Sequence, residues 1–189
     1  MAKDIWLGYS NGLAYMNTNT EQLIQECKRQ SEGCLYTSTS LFIWLRTLRY
    51  LKVIFIVAPL IFGTLAGGKL LLSVNAESAK TFSALFAFFA GILPSIYAAL
   101  KYDDRLKECT TLAAEFKNLQ DRFRQAALVG SAKAFLDFEA QFDGLMGRLE
   151  ASRKSSFTAP EWCFKRAQAK IKKGDYHFDS DISKGLPQQ

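Results

Sequence analysis

Two apolar stretches decide the fold of this chain: VIFIVAPLIFGTLAGGKLLL at residues 53–72 and TFSALFAFFAGILPSIYAAL at residues 81–100. Between Lys52 and Lys101 the only charged side chains are those of Lys69, Glu77 and Lys80. About 20 residues of α-helix cross a hydrocarbon layer of roughly 30 Å. Each stretch is therefore predicted to be a transmembrane helix, and their short connection makes the two helices antiparallel neighbours.

The first stretch tolerates Lys69. Nine of the residues from Val53 to Leu65 are Val, Ile, Leu or Phe, and together they favour insertion by about 4 kcal/mol, against a cost of roughly 3 kcal/mol for a lysine at the bilayer centre. Near the end of the helix the lysine can also reach the interface, which lowers that cost. The alternative is a buried helix pair in a soluble protein, but the rest of a 189-residue chain would barely surround it.

Cations flank the two stretches unequally. Between Lys28 and Lys117 the counts are five before the first stretch, two within and between the stretches, and four after the second: Lys28, Arg29, Arg46, Arg49 and Lys52; Lys69 and Lys80; Lys101, Arg105, Lys107 and Lys117. Because cytoplasmic flanks of membrane helices are enriched in Lys and Arg, both termini are predicted to be cytoplasmic. This makes the chain a multi-pass protein of the inner (cell) membrane, with the lipid bilayer as its first partner.

Small residues recur every four positions along both stretches and define a small-residue stripe: Gly63 and Gly67 in the first, and Ser83, Ala87, Gly91, Ser95 and Ala99 in the second. Such stripes let helix backbones approach closely in lipid. Two interpretations stay open. The stripe either holds the hairpin together, or it forms a packing or pore face in a homo-oligomer.

The remaining segments are predicted to be helical, with no strand. Residues 1–52 form an N-terminal cytoplasmic helix region. Its helix is predicted to start at a capping Thr18 and to be interrupted at Gly33. The segment 41–52 is amphipathic and either lies on the membrane or packs on the helical body. Residues 101–156 form a cytoplasmic helical hairpin that turns at Gly130, with Ser131 as the N-cap of its second helix. Residues 157–189 form a helix capped by Thr158, followed by a tail.

The second helix of that hairpin carries apolar residues at coiled-coil spacing: Phe135, Phe138, Phe142, Leu145 and Leu149. They are predicted to make a cytoplasmic helix–helix contact, within the chain or between subunits. The fold class is therefore an all-α membrane protein, in which a hairpin of two transmembrane helices (53–100) continues into a cytoplasmic helical hairpin or bundle.

The sequence has no residue pattern that is typical of a catalytic or metal-binding site. The four cysteines have no CxxC spacing, and the one histidine, His177, lies in the tail. We attribute the net charge of +6 to basic residues beside the apolar stretches, which set the orientation of the chain in the membrane, because no nucleic-acid recognition motif accompanies them. We predict no catalytic, cofactor-binding or metal-binding residue, no enzymatic activity and no nucleic-acid partner. Asp103, Asp104, Glu108 and Glu115 are interpreted as a solvated salt-bridge face rather than as metal ligands.

The order of these elements resembles the SLATT family, the SMODS and SLOG-associating two-transmembrane effector domain proteins of prokaryotes. The similarity lies in residues 41–72, in residues 83–123 and at the helix start Pro160-Glu-Trp162. It implies a membrane effector of a conflict or antiphage (antiviral defense) system that self-associates and forms a pore or perturbs the membrane when a partner linked to a nucleotide second messenger activates it. The alternative is a non-conducting membrane anchor or scaffold whose cytoplasmic helices recruit a partner.

Overall fold

The computed structural model describes the backbone of residues 2–72, 77–155 and 157–174, and the side chains of residues 18–68, 81–155 and 157–174. The predictions for the link at 73–76 and for the tail with His177 lie outside these residues. The described chain is helical and contains no strand, as predicted. Its elements are α1 (Ala2–Leu72), α2 (Glu77–Ala99), α3 (Tyr102–Val129), a 3-10 turn (Gly130–Ala132), α4 (Phe135–Arg153) and α5 (Glu161–Lys172).

The first helix is longer than predicted. It runs from Ala2 to Leu72 without a break, so the predicted start at Thr18 and the predicted interruption at Gly33 are both wrong. A glycine inside a helix costs only about 1 kcal/mol relative to alanine. Buried Gln30 and Cys34 on either side of Gly33 show that the helix packs through this point, and packing overrides a local preference of that size.

Three helix junctions also differ from the predictions. Between α2 and α3, Lys101 adopts a left-handed backbone conformation with φ of 46°, and its carbonyl accepts from the amides of Asp104 and Arg105. Ser131 lies in the 3-10 turn, and α4 begins only at Phe135, after an extended Ala134. The N-cap of α5 is Pro160 rather than Thr158, because a residue that precedes proline is disfavoured in a helical conformation.

The chain divides into two compact units. The first unit contains the described residues of Met1–Ile43 and Thr111–Gln189, and the second unit is Trp44–Thr110. In the first unit, α1 meets α3 where the Ser31 hydroxyl donates to the Gln120 carbonyl at 3.0 Å. It meets α4 where the Arg153 guanidinium donates to Gln30 Oε1 at 3.3 Å, and α5 where the Tyr36 and Phe164 rings lie 6.2 Å apart.

Helices α3 and α4 contact one another in reverse order along their sequences. At the middle of α3, Glu115 accepts a 2.8 Å hydrogen bond from Arg148 of α4. Further along α3, the Phe123 and Phe142 rings meet edge to face at 6.1 Å. Helices α3 and α4 therefore run antiparallel, with the turn at Gly130 between them.

Candidate functional site

Two helical stretches of the described chain are long and apolar enough to cross a membrane. They lie in Thr18–Gly68 of α1 and in Thr81–Ala99 of α2, and only 6% of each apolar stretch is buried inside the chain. A core helix of a soluble protein would instead be mostly buried. Large side chains such as Leu60 (67% exposed), Phe88 (60%) and Val53 (56%) face outward from the chain.

Aromatic rings contact one another between the two apolar helices. Phe62 of α1 lies 5.8 Å from Phe86 and 6.1 Å from Phe89 of α2, and Phe55 lies 6.0 Å from Tyr97. Ring pairs at these distances are attractive beyond the area that they bury. The aromatic contacts therefore run along both helices, from one end of the pair toward the other.

The predicted small-residue stripe takes little part in this contact. Of its members Ser83 is buried, and its hydroxyl donates to the Ala66 carbonyl at 3.2 Å. The others are exposed: Gly63, Gly67, Ala87, Gly91, Ser95 and Ala99. A β-carbon added at Gly63, Gly67 or Gly91 would meet no atom within 4 Å, so the glycines of the stripe have open space beside them.

A polar cluster lies at one end of the helix pair, where the apolar stretch of α1 begins and α2 ends. Lys52 Nζ lies 2.7 Å from Asp103 Oδ1, and the Tyr97 hydroxyl donates to the same carboxylate at 2.8 Å. Tyr102, which is 6% exposed, donates to the Leu48 carbonyl at 2.9 Å. These bonds tie the last turns before the first apolar stretch to the first turn of α3.

The charges in this polar cluster stabilise one another. Hydrogen bonds from Lys52 and then from Tyr97 lower the pKa of the Asp103 carboxyl below its usual value. The hydrogen bond to Asp103 raises the pKa of the Lys52 ammonium, and burial raises the pKa of the Tyr102 hydroxyl. The lysine and the carboxylate are therefore both charged over the whole physiological pH range.

Sequence reasoning missed this cluster. Asp103 and Glu115 were assigned to a solvated face of their own helix, but their ion-pair partners, Lys52 and Arg148, lie on other helices. One signal was available in the sequence. Lys52 directly precedes one apolar stretch and Asp103 closely follows the other, so an antiparallel pair brings them to the same end.

The amphipathic segment 41–52 packs inside the chain. Leu41, Leu45 and Leu48 are 2%, 4% and 5% exposed, and Tyr102 of α3 reaches the backbone of Leu48. Of the two predicted placements, the structure therefore shows the one in which this apolar face is covered by protein. Tyr50, close to the start of the first apolar stretch, is 66% exposed.

The predicted coiled-coil stripe of α4 lies in the core of the first unit. Phe138 and Leu149 are fully buried and Leu145 is 7% exposed, while Phe135 and Phe142 are half-buried. The Phe138 ring packs directly on the backbone of Gly130. These side chains hold α4 within its own chain.

No protein-family model, no curated protein sequence and no solved structure matches this chain. Within the described residues, no group of three or more His, Cys, Asp or Glu side chains could hold a metal ion. The four cysteines form no disulfide, and all four side chains are buried. Burial raises the pKa of the Cys27 and Cys34 thiols to about 11, which makes them poor nucleophiles.

Proposed function

We propose that this chain is a two-span protein of the inner membrane that self-associates and forms a pore or otherwise perturbs the bilayer. The observation that carries the proposal is the exposure of the two apolar stretches, because only 6% of each stretch is buried inside the chain. Soluble monomers rarely expose an apolar patch of more than a few hundred Å². A bilayer can cover such a surface because the backbone groups of a helix bond largely within that helix.

Both termini face the cytoplasm in this proposal. The cations beside the two stretches outnumber those between them, as the positive-inside tendency requires. Lys52, Tyr97 and Asp103 then lie together at the cytoplasmic interface, where tyrosine and lysine side chains are favoured. The first unit, with its paired helices α3 and α4, forms the cytoplasmic body.

Self-association uses the small-residue stripe. Gly63, Gly67 and Gly91 have no neighbouring atom within 4 Å of an added β-carbon, which leaves room for a helix of another subunit to approach closely. In lipid, close backbone approach is a main source of helix association. The proposed partner on this face is a second copy of the chain.

The link to defence rests on the resemblance to the SLATT family. In that setting the pore or lesion is the effector step of a prokaryotic conflict or antiphage system, and a partner protein tied to a nucleotide second messenger activates it. An adjacent nucleotidyltransferase gene would favour this role. A chain that is never encoded near such a gene would speak against it.

Matched glycine variants test self-association. Gly63→Leu and Gly91→Leu place a large side chain on the stripe, whereas Gly68→Leu places the same side chain at a position that is equally open in the monomer but off the stripe. We expect the first two to lose cross-linked oligomers and the Gly68 variant to retain them. Equal behaviour of all three would refute the stripe as the contact.

Dye release from liposomes tests the pore. Purified oligomer should release a small dye, and Gly91→Leu should release less than Gly68→Leu. If oligomers are verified in the sample but no activated state conducts, the pore hypothesis is refuted. A membrane-perturbing or scaffolding role then remains.

The scaffold alternative is favoured by two exposed leucines in the first unit. Leu128 is 61% exposed and Leu136 is 74% exposed, on either side of the turn between α3 and α4. Leu136→Asp should then abolish partner recruitment without altering oligomers or thermal stability. Phe138, being fully buried, is unsuitable for this test because a polar residue there would unfold the unit.

A further inference from the structure

The first unit contains a pocket of about 280 Å³ that the membrane role does not use. Residues of α1, α3 and α4, the segment between α4 and α5, and α5 line it. Its volume lies just below the roughly 300–1,000 Å³ that is typical of small-molecule sites. An occupant is therefore limited in size to a single ring or its equivalent.

One side of the pocket is apolar and aromatic. Phe116 of α3, 6% exposed, Phe157 and Phe164 line it together with buried Leu41. The Phe164 ring is held by its contact with Tyr36 at 6.2 Å. Rings arranged in this way favour a flat apolar body, since aromatic pairs gain from stacked and edge-to-face packing.

Among the described residues that line the pocket, Arg153 is the only charged one, and none of them is a carboxylate. The guanidinium uses one N–H to bind Gln30 Oε1 at 3.3 Å. A guanidinium has five N–H donors in a planar fork that suits a carboxylate or phosphate. The unbalanced positive charge therefore selects an anionic group.

Two hydroxyl groups of α1 that line the pocket, those of Thr37 and Ser40, offer acceptors rather than donors. The Thr37 hydroxyl donates to the Gly33 carbonyl at 3.0 Å, and the Ser40 hydroxyl donates to the Thr37 carbonyl at 2.8 Å. Ser40 is 4% exposed. Because each hydroxyl hydrogen is already used, the oxygen lone pairs can only accept from an occupant. The complementary group on the occupant is an O–H or N–H.

We propose that this pocket binds a small aromatic anion, with a carboxylate or phosphate at Arg153, a single ring against Phe116 and Phe164, and a hydroxyl or N–H donor toward Thr37 and Ser40. The site lies wholly within the first unit. Binding does not require a pore or an oligomer, so failure here and failure of the proposed function are separate results.

Isothermal titration of the full-length protein in mild detergent tests the proposal with two probes, 4-hydroxybenzoate and 4-hydroxyphenyl phosphate. We expect saturable one-site binding of at least one of them. Benzoate, which lacks the donor, should bind at least threefold more weakly than 4-hydroxybenzoate, and phenol, which lacks the anion, at least tenfold more weakly. No saturable binding of either anionic probe would overturn the proposal.

Paired variants locate the site. Arg153→Gln should weaken binding at least tenfold, whereas Lys154→Gln removes the same charge from the adjacent exposed residue, outside the pocket, and should change it less than twofold. An equal loss in both would show unspecific charge attraction and overturn the site. If the Arg153→Gln variant fails to fold, the Ala159→Leu variant tests the site instead, because the larger side chain fills the pocket from the segment before α5. Unchanged binding by that variant also overturns the site.

Discussion

Replacing Gly130 by alanine tests how closely the core of the first unit is packed. A β-carbon at this position would lie 2.7 Å from Phe138 Cζ, 2.8 Å from Phe138 Cε1 and 3.0 Å from Ile24 Cγ1. Carbon atoms in favourable contact lie about 3.5–4.0 Å apart, so the ring would have to retreat by roughly 0.8 Å. Phe138 is fully buried, so its ring cannot move freely, and Ile24 Cγ1 is a second atom that would have to shift.

The expected cost is that of overpacking a close-packed core, about 2 kcal/mol within the usual range of 1–3. For a protein of this size that corresponds to a fall in Tm of roughly 4–8 °C. The matched control is Gly147→Ala in α4, where an added β-carbon meets nothing within 4 Å. There the helix gains about 0.5–1 kcal/mol, because alanine is the better helix former, and the Tm should rise slightly.

The buried cysteines provide the assay. Cys27 and Cys163 in the first unit and Cys109 in the second are fully buried, and Cys34 is 2% exposed. A fluorogenic maleimide added to detergent-solubilised protein therefore reports the unfolding of both units on heating. Phe138→Leu removes the obstructing ring atoms, and the double variant with Gly130→Ala should lose at least about 1 kcal/mol less than the sum of the single variants. Equal Tm values for Gly130→Ala and Gly147→Ala would refute this account of the core.

Three further predictions concern single residues. Lys101→Gly should be tolerated, whereas Lys101→Val should lower the Tm in the same maleimide assay, because a β-branched residue is strained at φ of 46°; equal Tm values would contradict this. Asp103→Asn should lower the Tm between about pH 5 and 9, and the deficit should shrink below about pH 4. The folded pKa of this carboxyl is depressed, so its contribution is present above its ordinary pKa and is lost as the pH falls through the folded value; a deficit that is constant down to pH 3 would contradict it. At pH 8, with a thiol pKa of about 11, roughly one Cys27 or Cys34 thiol in a thousand is ionised, so iodoacetamide should label neither residue before denaturant is added, as mass spectrometry would show.

Sequence reasoning performed best where the physical signal is local. The length of the uncharged stretches located both long apolar helices. Apolar periodicity located the buried stripe of α4, since a helix repeats its face every three to four residues. It placed helix ends less well. Thr18, Ser131 and Thr158 are sound caps in isolation, but α1 continues through Thr18 and the other two helices begin at later residues.

The candidate sites were less predictable because their residues come from distant parts of the chain. Arg153 and Gln30 are 123 positions apart, and nothing in either neighbourhood marks the other. The small-residue stripe was visible in the sequence. Its alternatives could be weighed only once the aromatic contacts of Phe62 were known, because those rings leave Gly63 and Gly91 uncovered.

The sequence by itself determined that two helices are apolar enough to cross a membrane and that the rest of the described chain is helical, because length and hydrophobic spacing are properties of single segments. The tertiary structure alone decided which residues face one another. It paired Lys52 with Asp103, seated Phe138 on Gly130 and assembled the pocket at Arg153. Contacts of this kind depend on how helices pack in space, and packing is a joint property of many side chains that no single segment encodes.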